Sequence, residues 1–190
     1  MDVKIGVSNR HVHLCENDLK ILFGENFSLG VKKELVQPGE FASDSVVTIK
    51  TDKSCIENVR VLGPLRSYTQ VEVSKTDAFK LGINPPVRDS GDLEGSAGIT
   101  IIGPNGSVDL DKGCIIATRH IHITPNEVHE FGLDGLKSVD VRLPGLKGGI
   151  LYNVQLKISP NYAFEMHIDT DDANAHLVKS GDIAEIIVSK

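Results

Sequence analysis

Tryptophan is absent from this 190-residue chain, the aromatic residues together make up 5%, and cysteine occurs three times. Cys15, Cys55 and Cys114 are odd in number and lack a Cys-x-x-Cys spacing, so neither a disulfide framework nor a thiolate zinc site is indicated and reduced thiols are expected. No window approaches the roughly 18 apolar residues of a membrane span, and the opening MDVKIGVSNR has no apolar stretch of signal-peptide length, which makes a cytoplasmic protein the expectation. Basic runs and interleaved aromatics are missing as well. With 20 Lys+Arg against 26 Asp+Glu, a formal net charge of −6, the balance argues against a nucleic-acid partner but leaves room for local cations that hold a phosphorylated small molecule. Long amphipathic stretches are scarce. Instead, 18 Gly and 8 Pro punctuate runs rich in Val and Ile, the pattern of a mainly β protein built from many short strands. The length suits one large domain or two small intertwined ones, and a 40% hydrophobic, 24% charged composition excludes disorder and coiled coil for the whole chain.

The strongest organisational signal is internal. Gly6-Val-Ser-Asn-Arg-His-Val-His-Leu-Cys-Glu-Asn-Asp18 returns as Ile115-Ile-Ala-Thr-Arg-His-Ile-His-Ile-Thr-Pro-Asn-Glu127, with a shared Arg-His-(β-branched)-His-(apolar) core followed by Asn and an acid. A looser echo matches Gln70-Val-Glu-Val-Ser-Lys-Thr-Asp-Ala78 to Phe164-Glu-Met-His-Ile-Asp-Thr-Asp-Asp-Ala173. Two copies are too few for a solenoid, which leaves paired barrels or sandwiches with a pseudo-two-fold relationship. Helices are expected over residues 17–22, 76–81, 126–131 and 170–179, where Thr or Asp suits an N-cap at the second echo. Besides the histidine segments, strands are expected over 45–50, 58–62, 98–102, 107–110, 139–143, 149–158 and 182–188, with Gly103-Pro-Asn-Gly106 as the turn of a hairpin.

Five of the seven histidines fall at three places, as His11/His13, His120/His122 and His167, in or beside β-branched runs. In a strand, residues i and i+2 share a face, so each His-x-His pair can offer two imidazoles to one ion while Val12 or Ile121 turns to the core. Neutral imidazole is a common zinc ligand, and a third ligand from another strand would leave a fourth position open. A carboxylate or further histidine at the second echo completes each set, which gives two candidate metal sites, His11/His13/Glu72 and His120/His122/His167. A single His-x-His is commonplace in a half-exposed strand; two copies, each followed by the same second echo, favour ligands. His129 and His176 read as surface residues. Cys15 is either a soft ligand on the face of His11 and His13 or a small core residue. Arg10 and Arg119 alternate to the opposite face and read as structural. Arg66, in the loop Gly63-Pro-Leu-Arg-Ser-Tyr-Thr-Gln70 before Glu72, is either a surface residue or a guanidinium that clamps phosphate.

Taken together, GVSNRHVHL (6–14), QPGEFASD (37–44), GPLRSYTQVEVSKTDAFKLGIN (63–84), PVRDSGDLEGSAGIT (86–100), ATRHIHITP (117–125) and EMHIDTDDANA (165–175) resemble the PduL-type phosphate propanoyltransferases, the phosphotransacylases of bacterial microcompartments. The resemblance runs nearly end to end. It implies two intertwined antiparallel β-barrels related by pseudo-symmetry, with residues 1–10 and 118–190 in a first, discontinuous barrel and 11–117 in a second. It also implies a two-zinc active site and the reversible conversion of acyl-CoA plus phosphate to acyl phosphate plus CoA. The family's metal ligands fall on His11, His13, Glu72, His120, His122 and His167, and its phosphate-contacting arginine on Arg66. Other residues lining the site fall on Gln37, Glu40, Gln70 and Ser90. Phe79 matches a position placed against the CoA adenine across a homodimer contact, while its own sequence context also suits a core aromatic. Lys157 stands where family members often carry Arg, which keeps the charge but loses the planar fork. Microcompartment members carry an amphipathic N-terminal extension, and ten residues precede His11 here, so the expectation is a cytoplasmic enzyme or one recruited by other means.

The expected mechanism is direct transfer of the acyl group to phosphate, because no Cys or Ser has a convincing base partner. Two other readings stay open. A two-zinc hydrolase of thioesters or acyl phosphates would need no phosphate, and a non-catalytic metal- or CoA-binding module would bind without turnover.

Overall fold

The structure is a computed structural model that describes residues 1–188. In chain order the elements are β1 (Asp2–Ser8), β2 (His11–His13), α1 (Glu16–Phe23), β3 (Val31–Glu34), β4 (Phe41–Lys50), β5 (Cys55–Gly63), β6 (Gln70–Glu72), α2 (Lys75–Leu81), β7 (Val87–Arg88), β8 (Ala97–Ile102), β9 (Ser107–Ala117), β10 (His120–Ile123), α3 (Pro125–Glu130), β11 (Ser138–Leu143), β12 (Gly149–Ile158), β13 (Glu165–Asp169), α4 (Thr170–His176) and β14 (Ile183–Ile187). They divide into two compact units. One comprises Met1–Asn9, Val36–Pro38 and the described part of Thr118–Lys190; the other comprises Arg10–Leu35 and Gly39–Ala117.

The first unit is a closed barrel in the order β1-β13-β10-β12-β11-β14. The second closes through β4-β5-β2-β6-β9-β8 and back to β4, with β3 and β7 added outside the ring. The two rings repeat one pattern. β10 lies between parallel β12 and antiparallel β13 as β2 lies between parallel β5 and antiparallel β6. Likewise β1 pairs parallel with β13 and antiparallel with β14, as β9 does with β6 and β8. In sequence, however, β1 leads into β2 and β9 into β10, so each barrel takes its opening strand from the other half of the chain. This exchange is the intertwining expected of a pseudo-symmetric, mainly β chain. Each ring also holds two parallel pairs among its antiparallel ones. Parallel neighbours need a crossover connection rather than a tight turn, so local turn signals do not announce them.

Alternation explains the cores. Along β4, Val47 and Ile49 turn inward at 3% and 0% exposure, while Lys50 is exposed. The two apolar clusters are separate, one containing Val3, Ile5, Ile121, Val141, Met166 and Ile186, the other Val12, Leu22, Val59, Val71, Ile101 and Cys114. Fully burying a side chain of this kind contributes about 1.5–3 kcal/mol. Three of the helices begin with a side-chain cap. Ser74 and Asp77 form a capping box on α2, Thr124 and Glu127 one on α3, and Asp169 caps α4 by accepting from the Asp172 N–H.

The hairpin of β8 and β9 turns at Gly103-Pro-Asn-Gly106 as expected, closed by the Gly103 N–H donating to the Gly106 carbonyl at 2.9 Å. Elsewhere the boundaries differ. α4 ends at His176 instead of running to 179, because Leu177 takes the left-handed conformation (φ 53°) and its N–H bonds back into the helix. β1, β3 and β7 add to the strands expected from sequence. Among the described residues, no helix is long and apolar enough to cross a membrane.

Candidate functional site

Each His-x-His strand does what a two-residue period requires. Val12 and Ile121, both 0% exposed, fill the two cores, and the flanking imidazoles share the opposite face. The ring centroids of His11 and His13 are 4.9 Å apart, and those of His120 and His122 4.7 Å. An antiparallel neighbour supplies the third group. β6 sets Glu72 opposite His11, with Glu72 Oε2 3.4 Å from His11 Nε2. In the other barrel, β13 sets His167 opposite His120, and its ring lies 4.7 Å from that of His122. In each triple, one ligand atom from every residue lies within 4.8 Å of the others.

The donors fit a divalent cation. His13 Nδ1 and His122 Nδ1, at matching positions of the echo, are buried without a hydrogen-bond partner. An orphaned buried nitrogen costs about 1–3 kcal/mol, a cost that a bound metal ion would remove. Burial, together with the charges of His11 and Arg66, outweighs the opposing charge of Glu72 and lowers the His13 pKa to about 2. Burial, then His120, His167 and Lys157, does the same to His122, also to about 2. Both rings are therefore neutral at pH 7, as a metal ligand must be. His120 Nδ1 lies 2.7 Å from the Thr118 carbonyl, which can only accept, so Nδ1 carries the proton and Nε2 keeps the lone pair. Burial works to raise the Glu72 pKa, but the charge and hydrogen bond of His11, with His13 and Arg66, outweigh it and hold the carboxyl below the ordinary glutamate range.

A chain of hydrogen bonds extends from the His11/His13/Glu72 triple. Gln70 Nε2 donates to Glu72 Oε1 at 2.6 Å and to Ser90 Oγ at 2.9 Å, and its Oε1 accepts from the Gly91 N–H at 2.8 Å. Arg66 donates through one terminal nitrogen to Ser90 Oγ at 2.8 Å and approaches Glu40 Oε1 at 3.5 Å with the other. Thus Glu40, Arg66, Gln70 and Ser90 are brought together beside the triple. Gln37 and Lys157 belong to the barrel unit of the three histidines. Gln37, 3% exposed, clamps the Ala163 backbone by donating to its carbonyl at 2.9 Å and accepting from its N–H at 3.1 Å. Lys157 lies opposite His122 across β10 and β12.

Several residues resolve the alternatives left by the sequence. Phe79 is 86% exposed on α2 and is no core aromatic. Cys15 engages Thr69, whose hydroxyl accepts from the Cys15 N–H at 3.0 Å, and the metal-competent group beside it consists of His11, His13 and Glu72. Arg10 pairs with Asp77 at 2.8 Å and Arg119 with Asp172 at 3.3 Å, so both arginines tie a His strand to the helix that follows its partner strand. His129 is exposed, whereas His176 is half-buried with Nδ1 2.9 Å from the Lys147 carbonyl. Two neighbours of the three-histidine group went unread in the sequence. Tyr162 stacks on His122 with centroids 4.3 Å apart, and Glu165 Oε2 lies 2.7 Å from His167 Nε2. Tyr162 gave no signal, being an aromatic in a loop; the one signal for Glu165 is its place in the second echo, aligned with Gln70.

Residues 4–179, which include both triples and Arg66, match the family described as phosphate propanoyltransferase. The chain belongs to the phosphate propanoyltransferase family. Among curated relatives, the phosphate propanoyltransferase of Thermotoga maritima is 52% identical over 184 residues, covering 96% of this chain and 88% of that protein. That of Rhodopseudomonas palustris is 48% identical, covering 97% and 81%, and that of Rhodobacter capsulatus 50% identical, covering 91% and 80%. As a member of the phosphate propanoyltransferases the chain is an acyltransferase.

Proposed function

We propose that this acyltransferase reversibly converts a short-chain acyl-CoA, propanoyl-CoA or acetyl-CoA, and inorganic phosphate into acyl phosphate and CoA by direct transfer. The observation that carries the reading is Arg66. Its guanidinium is oriented by Ser90 and Glu40, and its charge is felt at both His13 and Glu72. Two of its five N–H donors are engaged there, and the fork geometry suits a phosphate held in two-point contact.

Zinc is the metal proposed at each triple, where it would supply Lewis acidity for the thioester carbonyl and the developing oxyanion. Arg66 then orients phosphate so that one of its oxygens attacks the acyl carbon. The new C–O bond forms, the C–S bond breaks, and the CoA thiolate leaves with the electron pair. Holding both reactants in attack geometry can supply about 7–11 kcal/mol of the acceleration. Gln70 fixes Glu72 and Ser90 together, and Gln37 pins the Ala163 backbone, so their role is to keep the site in shape. Lys157 contributes a positive charge beside His122. The exposed ring of Phe79 suits stacking on the CoA adenine, with a homodimer completing that contact.

No covalent acyl-enzyme is required. Ser90 Oγ receives two donors, Arg66 and Gln70, and neither can act as its base. Burial, with Asp77 nearby, pushes the Cys114 thiol up to about 12, where it is inert as a nucleophile.

The test is thioester formation from CoA with acetyl phosphate and with propanoyl phosphate, before and after chelation and again after zinc is restored. Activity lost on chelation and regained with zinc supports the reading. Release of CoA from acyl-CoA without phosphate would make the protein a hydrolase, and an acyl-enzyme in rapidly quenched samples would end direct transfer.

A further inference from the structure

The two barrels are alike in strand order but not in what stands beside their metal-competent groups. The second echo aligns Gln70 with Glu165 and Glu72 with His167, and the strand registers agree, since His13 faces Gln70 as His122 faces Glu165. The carboxylate therefore sits in the ligand position of one barrel and two residues earlier in the other. The opening strands differ in step with this. β1 sets Gly6 opposite His167, while β9 sets the fully buried Ile115 opposite Glu72. A Cβ on Gly6 would come within 2.9 Å of His167 Cδ2 and 3.0 Å of Glu165 Cδ. Gly6 thus leaves the space that the Glu165–His167 pair fills, whereas in the other barrel the same two register positions hold Gln70 and Glu72, joined by Gln70 Nε2 donating to Glu72 Oε1.

We infer that Glu165 is a positioning residue for the three-histidine metal site: its carboxylate accepts the Nε2 proton of His167 and so commits Nδ1 of that ring to the metal. The inference rests on the metal reading proposed above. Glu165 is 8% exposed, and its Oε2 lies 2.7 Å from His167 Nε2, a distance at which an ionised carboxylate can only accept. His167 then has one lone pair, on Nδ1. His120 is fixed the opposite way, since its Nδ1–H donates to the Thr118 carbonyl, which puts the lone pair of that ring on Nε2. A histidine ligand whose far nitrogen donates to a carboxylate is oriented and made more basic, and removing such a partner typically costs about 10–100-fold in metal affinity. Glutamine can occupy this register position, as Gln70 does in the other barrel, and its amide oxygen can accept the same proton without the charge.

Two measurements on the zinc-loaded full-length chain test this. Zinc content is measured by native mass spectrometry, and zinc release to a chromophoric chelator is followed for the wild type, Glu165→Ala and Glu165→Gln. The expected result is two zinc ions on the wild type, with one of them released about 10–100-fold faster from Glu165→Ala and most of that loss recovered in Glu165→Gln. Unchanged release from Glu165→Ala overturns the inference while leaving the metal reading intact. Equally fast release from both variants overturns it as well, because Glu165 would then be a ligand itself. A wild-type chain that retains no zinc ends the metal reading and this inference with it. Should Glu165→Ala not fold, the second measurement needs no variant: in 15N spectra of the zinc-loaded wild type, the His167 proton must be on Nε2. A proton on Nδ1 overturns the assignment.

Discussion

At the scale of single residues, the two barrels place opposite demands on their side chains: cores of Val and Ile, and faces crowded with nitrogen and oxygen. Arg66 answers to the second demand. Replacing it with Ala should lower kcat by about 10²–10³-fold, and Lys should recover little of this because an ammonium cannot reproduce the fork; steady-state kinetics at saturating phosphate checks both. Phe79→Ala should raise the KM for CoA several-fold and leave the melting temperature unchanged, since the ring is 86% exposed. His13 and His122 make a prediction about acid. Their folded pKa values, about 2 in the metal-free protein, lie far below the ordinary histidine value of 6.5. Below pH 6.5 the unfolded chain therefore binds more protons than the folded one, and stability falls as pH falls. Urea unfolding of chelated protein should show a loss of order 2–3 kcal/mol between pH 6.5 and 5, and zinc-loaded protein should lose less over the same interval, because the metal competes with the proton. The ligand candidates were legible in the sequence because a two-residue period is all that is needed to put two imidazoles on one face. Glu165 was harder to read. Its relation to His167 depends on both rotamers and on Gly6 lying across from that ring, and a sequence shows neither.

Among elements, the strand-to-helix junctions after β6 and β13 hold each site in register. α2 begins three residues beyond Glu72 and α4 three beyond His167. Asp77 serves twice, in the capping box of α2 and as the partner of Arg10 next to His11. Asp77→Ala removes both functions from a side chain that is 5% exposed, and should destabilise the protein by about 1–3 kcal/mol. A matched Thr124→Ala on α3, which loses a cap alone, should cost nearer 1 kcal/mol; thermal denaturation separates the two. The hairpin of β8 and β9 could be read from its Gly-Pro-Asn-Gly turn and the Val and Ile around it. β3 could not, because all four of its residues are exposed and no alternation marks it. The end of α4 is hidden from the sequence for a related reason: the left-handed Leu177 that stops the helix is not a residue type that advertises such a turn.

For the whole molecule, the internal echo made two related barrels legible, but the source of each barrel's opening strand was implied only by the family resemblance. Strand exchange is a matter of long-range pairing, and no local motif records that β1 belongs with β13 and β14. It follows that removing residues 1–8 should open one barrel and spare the other. Hydrogen exchange should show lost protection in β13 and β14 and retained protection in β4 and β5, and a synthetic peptide of residues 1–8 should restore what was lost. The same pairing orders events on the ribosome. The barrel built from β2, β4, β5, β6, β8 and β9 has all its staves once Ala117 has been made, so it can close while the rest of the chain is still being translated. β1 is synthesised before either strand it pairs with and stays without them until Asp169 and Ile187 have emerged. The first strand made is the last one seated, and the nascent chain must carry Val3 and Ile5 exposed in the meantime, when a chaperone has most to protect.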